Sequence, residues 1–578
     1  MIKTLWAYTN RYRRWIACGI LCSAAEGVFE LLLPLVMADI VDVGIRGGDT
    51  AYILQKGLLM VGMALISLVF GLGSAAFSSL AGQGFGANLR AAEYDHIQQF
   101  SFSNIESFSS ASLITRLTGD VNALQMTLMM SMRLMVRAPV MLIAALVLAL
   151  GISLQLSRVF LIAIPLLAVV IGLILARVGP LFRKLQERTD ALNLVVQENL
   201  SSIRVVKSFV REPREIEKFH EKNDALRATS EHAFGAVVIN MPLMMLIVYS
   251  TIIAILWFGG HMVFADTLQV GLLTSFITYV MQIMMSLLMV SMIFMMASRS
   301  IACGKRVCEV LDEAPSITDE AAQEGLEVAD GSVDFDHVTF RYSPTAETPN
   351  LTDISLHIAS GQTVGILGGT GSGKTTLVSL IPRLYEAQEG TVSVGGQPVN
   401  RYTMSHLRDA CAMVLQQNTL FSGTIRDNLL WGNPDATDAQ LDDACRAACA
   451  DEFLSRLPDG LDTDLGQGGV NVSGGQKQRL CIARAILKQP KILILDDSTS
   501  AVDTATDAKI RQAFAAQLQD TTKIIIAQRV ASVQSADQIV VLDDGKLSAV
   551  GTHQELLKTS DIYREVCAAQ QEGVGLDG

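Results

Sequence analysis

The 578-residue chain sets 45 Lys and Arg against 57 Asp and Glu, and the resulting net charge of −12 argues against nucleic acid as a partner. Half of the residues are hydrophobic and the mean hydropathy is +0.36, which is high for a soluble enzyme. Nine cysteines suggest no disulfide framework, and Cys445 with Cys449, lacking a companion His or Cys pair, suggests no metal centre.

The amino terminus is basic, with Lys3, Arg11, Arg13 and Arg14, and Met1 to Arg14 reads as an amphipathic elbow on a membrane face. A first apolar span follows from Trp15 to about Ile40, interrupted by Glu26 and Glu30. A basic start before an apolar run also fits a secretory signal, but the run resumes through Val28 to Ile40 without a cleavage context, so a retained helix is expected. Charge-free runs long enough to cross a bilayer then stand at Gly57 to Ala81, Ala138 to Leu156, Val159 to Ala176, Ala233 to Ala265 and Thr267 to Ser298, so about six membrane helices are predicted. Pro34, Pro139, Pro165 and Pro242 lie within or at the ends of these spans, where neighbouring helices can satisfy the freed carbonyls.

The connections set the orientation. Those near Leu154 to Arg158 and Ala265 to Leu268 are tight, whereas Gln83 to Arg137 and Arg177 to His232 are long, polar and helical in pattern. The second long loop is crowded with Arg and Lys, which places both loops and the amino terminus in the cytoplasm. Glu26 and Glu30 share one helix face and are costly in lipid, so they should face a cationic substrate or a cationic partner within the protein. Met241 and Met245 on the fifth span, with Met281, Met285, Met289 and Met292 on the sixth, are candidates for an adaptable apolar substrate wall or for ordinary helix packing. Asp39 and Asp42 stand at the outer end of the first span, as gate residues or simple helix-end carboxylates.

The membrane half is read as residues 1–310 and the acidic stretch 311–330 as a linker. Residues 331–578 form a second domain that opens with short alternating strands around Val333, Phe335, Val338 and Phe340. After the apolar run Thr363 to Leu367 comes Gly368-Gly369-Thr370-Gly371-Ser372-Gly373-Lys374-Thr375, a phosphate-binding loop. Its glycines let backbone N–H groups converge on phosphate oxygens, Lys374 supplies charge, and the Thr375 hydroxyl can ligate Mg²⁺, with Thr376 continuing into a helix whose N-terminus favours an anion. Ser473-Gly474-Gly475-Gln476 reads as a capped helix start able to meet a second phosphate. Ile492 to Asp496 is a buried-strand pattern ending in a carboxylate suited to the metal. Thr424 to Leu457 is helix-rich, and a last helix is expected from about His553 to Ala569.

In that order, Gly368 to Thr375, Val472 to Gln476 and Ile492 to Asp496 resemble the nucleotide-binding domain of an ABC transporter, and the short outer and long inner loops resemble the exporter-type membrane domain. The resemblance implies a polytopic α-helical membrane domain with long cytoplasmic extensions, then an α/β P-loop ATPase domain with a helical subdomain, using ATP and Mg²⁺ in a bacterial inner membrane. It makes Tyr342 the aromatic that stacks on adenine, Gln416 the glutamine reaching toward metal and attacking water, and Asp503 the end of the D-loop Ser500-Ala501-Val502-Asp503. It also implies coupling helices near Ser103 to Ser112 and Ser201 to Val210.

Two departures from the family pattern fall at catalytic positions. Asp497 stands where a Glu is usual and is shorter by about 1.5 Å of reach. Gln528 stands where a His is usual and cannot become cationic near neutral pH. Loss of a well-placed general base costs about 10²- to 10⁴-fold in rate. A lesser departure, Gln467 for Glu, touches one charged contact. With Ser473 to Gln476 intact, the expectation is a heterodimer: this chain holds ATP at a slow site, completes a fast site on a different half-transporter, and exports hydrophobic or amphipathic compounds as a multidrug-type pump. A lipid or peptide translocator, an ATP-gated regulator with little hydrolysis, and an active homodimer are the alternatives.

Overall fold

The computed structural model describes residues 1–343, 346–497 and 504–574. The chain divides into two units, Met1–Gln98 with Ala111–Glu313, and Gln99–Ser110 with Ala314–Gly578.

The first unit is helical. Among the described residues five helical runs are long and apolar enough to cross a membrane: Thr50–Ile97, Ser110–Ile152, Leu154–Ser201, Glu212–Phe264 and Val270–Val290. The 27-residue helix Arg13–Asp39, with Glu26 and Glu30, precedes them. Most of the runs continue well beyond a bilayer's thickness, since about 20 helical residues already cover ~30 Å. Lipid offers no hydrophobic drive for helix pairing, so close approach of small residues matters. The first helix buries Gly19, Ser23 and Gly27 at four-residue spacing. A Cβ added at Gly19 would stand 2.6 Å from the Met132 terminal methyl, so that flexible side chain would have to shift.

The core of this unit gathers Leu31, Met141, Ala145, Ala149, Phe276, Tyr279 and Ile283. Pro34 lies inside the first helix. Nearby carbonyls are taken up by the last helix, Val270–Asp312, through Tyr279 Oη to Leu31 O at 2.8 Å and Ser275 Oγ to Pro34 O at 2.5 Å. The Asp42 carboxylate caps that same helix, accepting from Gly271 N at 2.6 Å and Leu272 N at 3.1 Å, and Asp39 accepts from Lys56 Nζ at 2.6 Å. Both carboxylates expected at the end of the first span therefore hold helix ends together.

The second unit carries two sheets. β1 (Val333–Phe340), β2 (Leu351–Ile358), β4 (Glu389–Val394) and β5 (Gln397–Pro398) form an antiparallel sheet in the order β2-β1-β4-β5. The apolar alternation shifts phase between Phe335 and Val338 because β1 bulges there, with His337 at φ +51°. The other sheet runs β10-β9-β3-β8-β7-β6, from β3 (Thr363–Gly368), β6 (Cys411–Val414), β7 (Ile492–Asp496), β8 (Thr522–Ile526), β9 (Gln538–Asp543) and β10 (Lys546–Gly551). Its members pair in parallel except for β10. β7 is buried at all five positions, as its unbroken apolar run requires.

Helices Ile425–Leu430, Asp438–Ala447 and Gly474–Leu487 pack into one apolar cluster with Leu429, Leu441, Phe453 and Ile482. Capping boxes at Thr424, Thr437 and Ser473 start all three helices, so short polar sequences set where they begin. The expected last helix is two, His553–Thr559 and Asp561–Val574. Ser560 leaves helical geometry between them and its hydroxyl accepts from Tyr563 N at 3.3 Å, beginning a new helix where the sequence pattern runs on.

The two segments expected as coupling helices are short helices between long ones. Phe102–Phe108 ends at Ser109, whose φ of +59° turns the chain, and Ile203–Ser208 stands between Ser201 and Glu212.

Candidate functional site

Strand register brings the site together. Ile366 on β3 pairs with Ile526 on β8, and Ile526 pairs with Asp496 on β7. The segments leaving the carboxyl ends of these three neighbours are the glycine loop, Asp497 and Gln528, and such a crevice at the strand ends is where open α/β sheets bind ligands.

The loop's geometry depends on its glycines. Gly371 and Gly373 have φ of +83° and +92°, and a Cβ at Gly368 would lie 2.3 Å from Leu542 O. Lys374 Nζ donates to Gly368 O at 2.9 Å and Gly369 O at 2.6 Å and lies 3.4 Å from Ser372 Oγ, so the ammonium is held at the loop's mouth. Burial pushes its pKa below the usual lysine value, against the pull of Asp496 and Asp497. Thr375 Oγ1 lies 2.9 and 3.1 Å from the two carboxylate oxygens of Asp496, which gathers a hydroxyl and a carboxylate as hard-cation donors. Burial raises the Asp496 carboxyl above the ordinary range, and its neighbour Asp497 adds to the rise. A buried carboxylate beside a hydroxyl, an ammonium and a glycine cradle fits a magnesium-bound triphosphate.

Asp497 and Gln528 are bonded to each other. Gln528 Nε2 donates to Asp497 Oδ2 at 2.8 Å. Burial pushes the Asp497 pKa up, and the hydrogen bond from Gln528 opposes it. The Asp497 backbone is left-handed, φ +48°, with its N–H on Ile526 O at 3.1 Å, so the position is fixed by the β7–β8 pairing as well as by Gln528.

Tyr342 stands beside the loop. Its hydroxyl is 3.0 Å from Thr376 Oγ1 and its ring meets Phe340 and Tyr385 edge to face, at 5.0 and 5.1 Å between centroids. Ser473 and Gln476 bond reciprocally, with Ser473 N donating to Gln476 Oε1 at 2.8 Å and Gln476 N to Ser473 Oγ at 3.4 Å. Nothing lies within 4 Å of where a Cβ at Gly474 would be, so the helix start is open at Gly474. Asp503 lies outside the described residues.

In the helical unit, Glu26 and Glu30 share one cation that sequence reading passed over. Arg137 Nη1 donates to Glu26 Oε1 at 2.9 Å and Nη2 donates to Glu30 Oε2. A lone arginine two residues before Pro139, at the start of an apolar span, was the available signal. Met281 and Met285 are exposed on the last helix and Met241 on the run Glu212–Phe264, Met245 and Met289 are half-buried, and the side chain of Met292 lies outside what is described. Met244 and Met284, one residue away in phase, belong to the core.

The family described as "ABC transporter transmembrane region" matches residues 16–287, and that described as "ABC transporter" matches residues 351–500. The chain is 37% identical over 567 residues to an uncharacterized ABC transporter ATP-binding protein, YfiB, of Bacillus subtilis, covering 98% of each. It is 33% identical over 487 residues to an ATP-dependent lipid A-core flippase of Desulfotalea psychrophila, covering 84% of each. The solved structure of a bacterial Atm1-family ABC exporter with ATP bound superposes with a TM-score of 0.79 at 26% identity, covering 96% of this chain and 98% of that one.

Proposed function

We propose, for a chain that belongs to the ABC transporter family and carries its membrane and ATPase domains in one polypeptide, that it is the slow-site half of a heterodimeric exporter of hydrophobic or amphipathic compounds. The chain is an ATP-hydrolysing transporter with the exporter fold. Tyr342 stacks on adenine, Gly368 to Thr376 hold the phosphates, and Thr375, Asp496 and Gln416 hold Mg²⁺, which neutralises phosphate charge when bound. Ser473, Gln476 and the amides of Gly474 and Gly475 meet the nucleotide of the other chain. The membrane is a bacterial inner membrane, with the amino terminus and ATPase domain on the cytoplasmic side.

The observation that carries the slow site is the Gln528 to Asp497 hydrogen bond at 2.8 Å. A general base must accept a proton from water, and here the short carboxylate is tied to a side-chain amide that cannot take up the charge. The exposed, intact start of the Ser473 helix supports a role in a second, faster site.

The test is ATPase activity of this chain alone and with its partner half-transporter. The chain alone should run at under about a tenth of the mixed rate. In the mixture Ser473→Ala should abolish most hydrolysis, whereas Asp497→Glu with Gln528→His should change it only modestly. Full activity of the chain alone would refute the heterodimer.

A lipid substrate is the second reading, favoured by the likeness to the relative named a lipid A-core flippase. Stimulation of the reconstituted ATPase by lipids but not by amphipathic drugs would select it.

A further inference from the structure

Tyr385 was not marked by any motif, yet its ring touches both the Tyr342 platform and the helix Phe102–Phe108. Its hydroxyl donates to Glu106 Oε1 at 2.7 Å, and its ring packs against Phe102 with centroids 6.0 Å apart. On its other side it meets Tyr342 at 5.1 Å with planes at 88° and Phe340 at 5.7 Å. Tyr342 in turn reaches Thr376 at the end of the phosphate loop. The route from loop to helix is therefore a hydroxyl pair, an edge-to-face ring pair and a carboxylate hydrogen bond, all within the second unit.

The turn that presents Tyr385 is held rigidly. Arg383 is 3% exposed with φ +53°. Its guanidinium donates to Glu386 Oε1 at 2.6 Å and Thr318 O at 2.9 Å, and its own carbonyl accepts from Arg408 at 3.1 Å. The helix end is fixed as well. Asn104 Oδ1 accepts from Ser316 N at 2.9 Å while its Nδ2 donates to Ala314 O at 3.2 Å. With both anchors fixed, the Tyr342 ring is the member of the chain that a stacked base would turn or lock.

We infer that Tyr385 is a positioning residue with two separable parts: its ring sets the orientation of Tyr342 for the nucleotide base, and its hydroxyl passes that orientation to Glu106 and the helix Phe102–Phe108. The inference rests on Tyr342 being the adenine platform. Because coupling in binding is reciprocal, a nucleotide that orders the Tyr342 ring orders the helix, and loosening the helix weakens nucleotide binding by the same factor.

The experiment uses the full chain in nanodiscs, with the non-hydrolysable analogue adenylyl imidodiphosphate as probe. Two quantities are read: its Kd, and backbone hydrogen exchange over residues 101–109 with and without it. In the native protein the analogue slows exchange in that segment. Tyr385→Phe keeps the ring, so the Kd stays within about three-fold while the protection of 101–109 is lost. Tyr385→Leu removes the ring pair and raises the Kd about three-fold or more beyond the Phe variant. Glu106→Ala reproduces Tyr385→Phe, the two together do no more than either alone, and Glu106→Gln, which keeps an acceptor oxygen, restores the protection. Tyr342→Ala separates the two readings, because loss of base stacking should weaken binding about ten-fold. An unchanged Kd there overturns the platform assignment and this inference with it. A weakened Kd there, combined with full protection of 101–109 in Tyr385→Phe, overturns the inference alone.

Discussion

Replacing Arg137 with Leu removes the single guanidinium between Glu26 and Glu30, leaving two carboxylates four residues apart on one helix face with no cation. Breaking a buried ion pair by deleting one partner costs about 3–5 kcal/mol. The side chains here are 27%, 16% and 38% exposed for Arg137, Glu26 and Glu30, so water reaches part of the group and the cost falls to about 2 kcal/mol. For a large domain each kcal/mol is worth about 2–4 °C, which gives a fall of about 4–8 °C in the melting temperature of the helical unit. Glu26→Gln has the opposite character. It leaves one carboxylate on one guanidinium, relieves the excess negative charge, and should melt within about 2 °C of the native protein or above it. The assay is thermal unfolding in detergent followed by a thiol-reactive dye, since Cys303 and Cys308 are buried in this unit. The electrostatic reasoning fails if Arg137→Leu melts like the native chain. It also fails if adding Glu26→Gln and Glu30→Gln to Arg137→Leu does not recover most of the loss.

Gly271→Ala should destabilise the same unit by about 1–3 kcal/mol, because the new Cβ would lie 2.5 Å from Ala38 O and 2.6 Å from Asp42 Oδ2. Asp42→Ala should cost about 1 kcal/mol through the lost cap, and the double variant should cost less than the sum in the same melt. At the nucleotide site, burial raises the Asp497 pKa and the hydrogen bond from Gln528 holds it down. Gln528→Ala should raise it further, so the carboxylate is lost at a higher pH and the acid limb of this site's hydrolysis moves upward. A pH–rate profile with an unmoved acid limb would contradict the assignment. Burial pushes the Cys411 and Cys445 thiols up to about 12, so both should resist iodoacetamide at pH 8 in the native protein and react once it is denatured. Native labelling at the rate of a free thiol would contradict their packing.

What the sequence disclosed was local chemistry. The glycine spacing of Gly368 to Thr375, the apolar run ending at Asp496 and the cap at Ser473 each depend on a few consecutive residues, and each is where the pattern placed it. What it hid was pairing at a distance. Asp497 and Gln528 could be seen as departures one at a time, but their bond exists because β7 and β8 are neighbours, and strand order is not written in either segment. Arg137 was an unremarked loop end until a helix more than a hundred residues earlier presented two carboxylates to it. Tyr385 follows a buried arginine in an irregular turn and carries no periodic signal, so only its contacts reveal it. The carboxyl-terminal helix was read as continuous because its apolar phase carries across Ser560, while the backbone breaks there to let Ser560 begin a second helix.

The order of the parallel strands also has a meaning in time. β3, which leads into the phosphate loop, takes its parallel neighbours from β8 and β9, residues Thr522–Ile526 and Gln538–Asp543. A ribosome reaches those residues only after the membrane-spanning runs seen among the described residues have been translated. During synthesis the loop's supporting strand therefore waits without hydrogen-bonded partners on either side. The chain becomes able to grip ATP only in its final stretch, after its helices have had the chance to enter the bilayer. A nascent chain halted before about residue 540 would hold a complete membrane half with no engine to drive it.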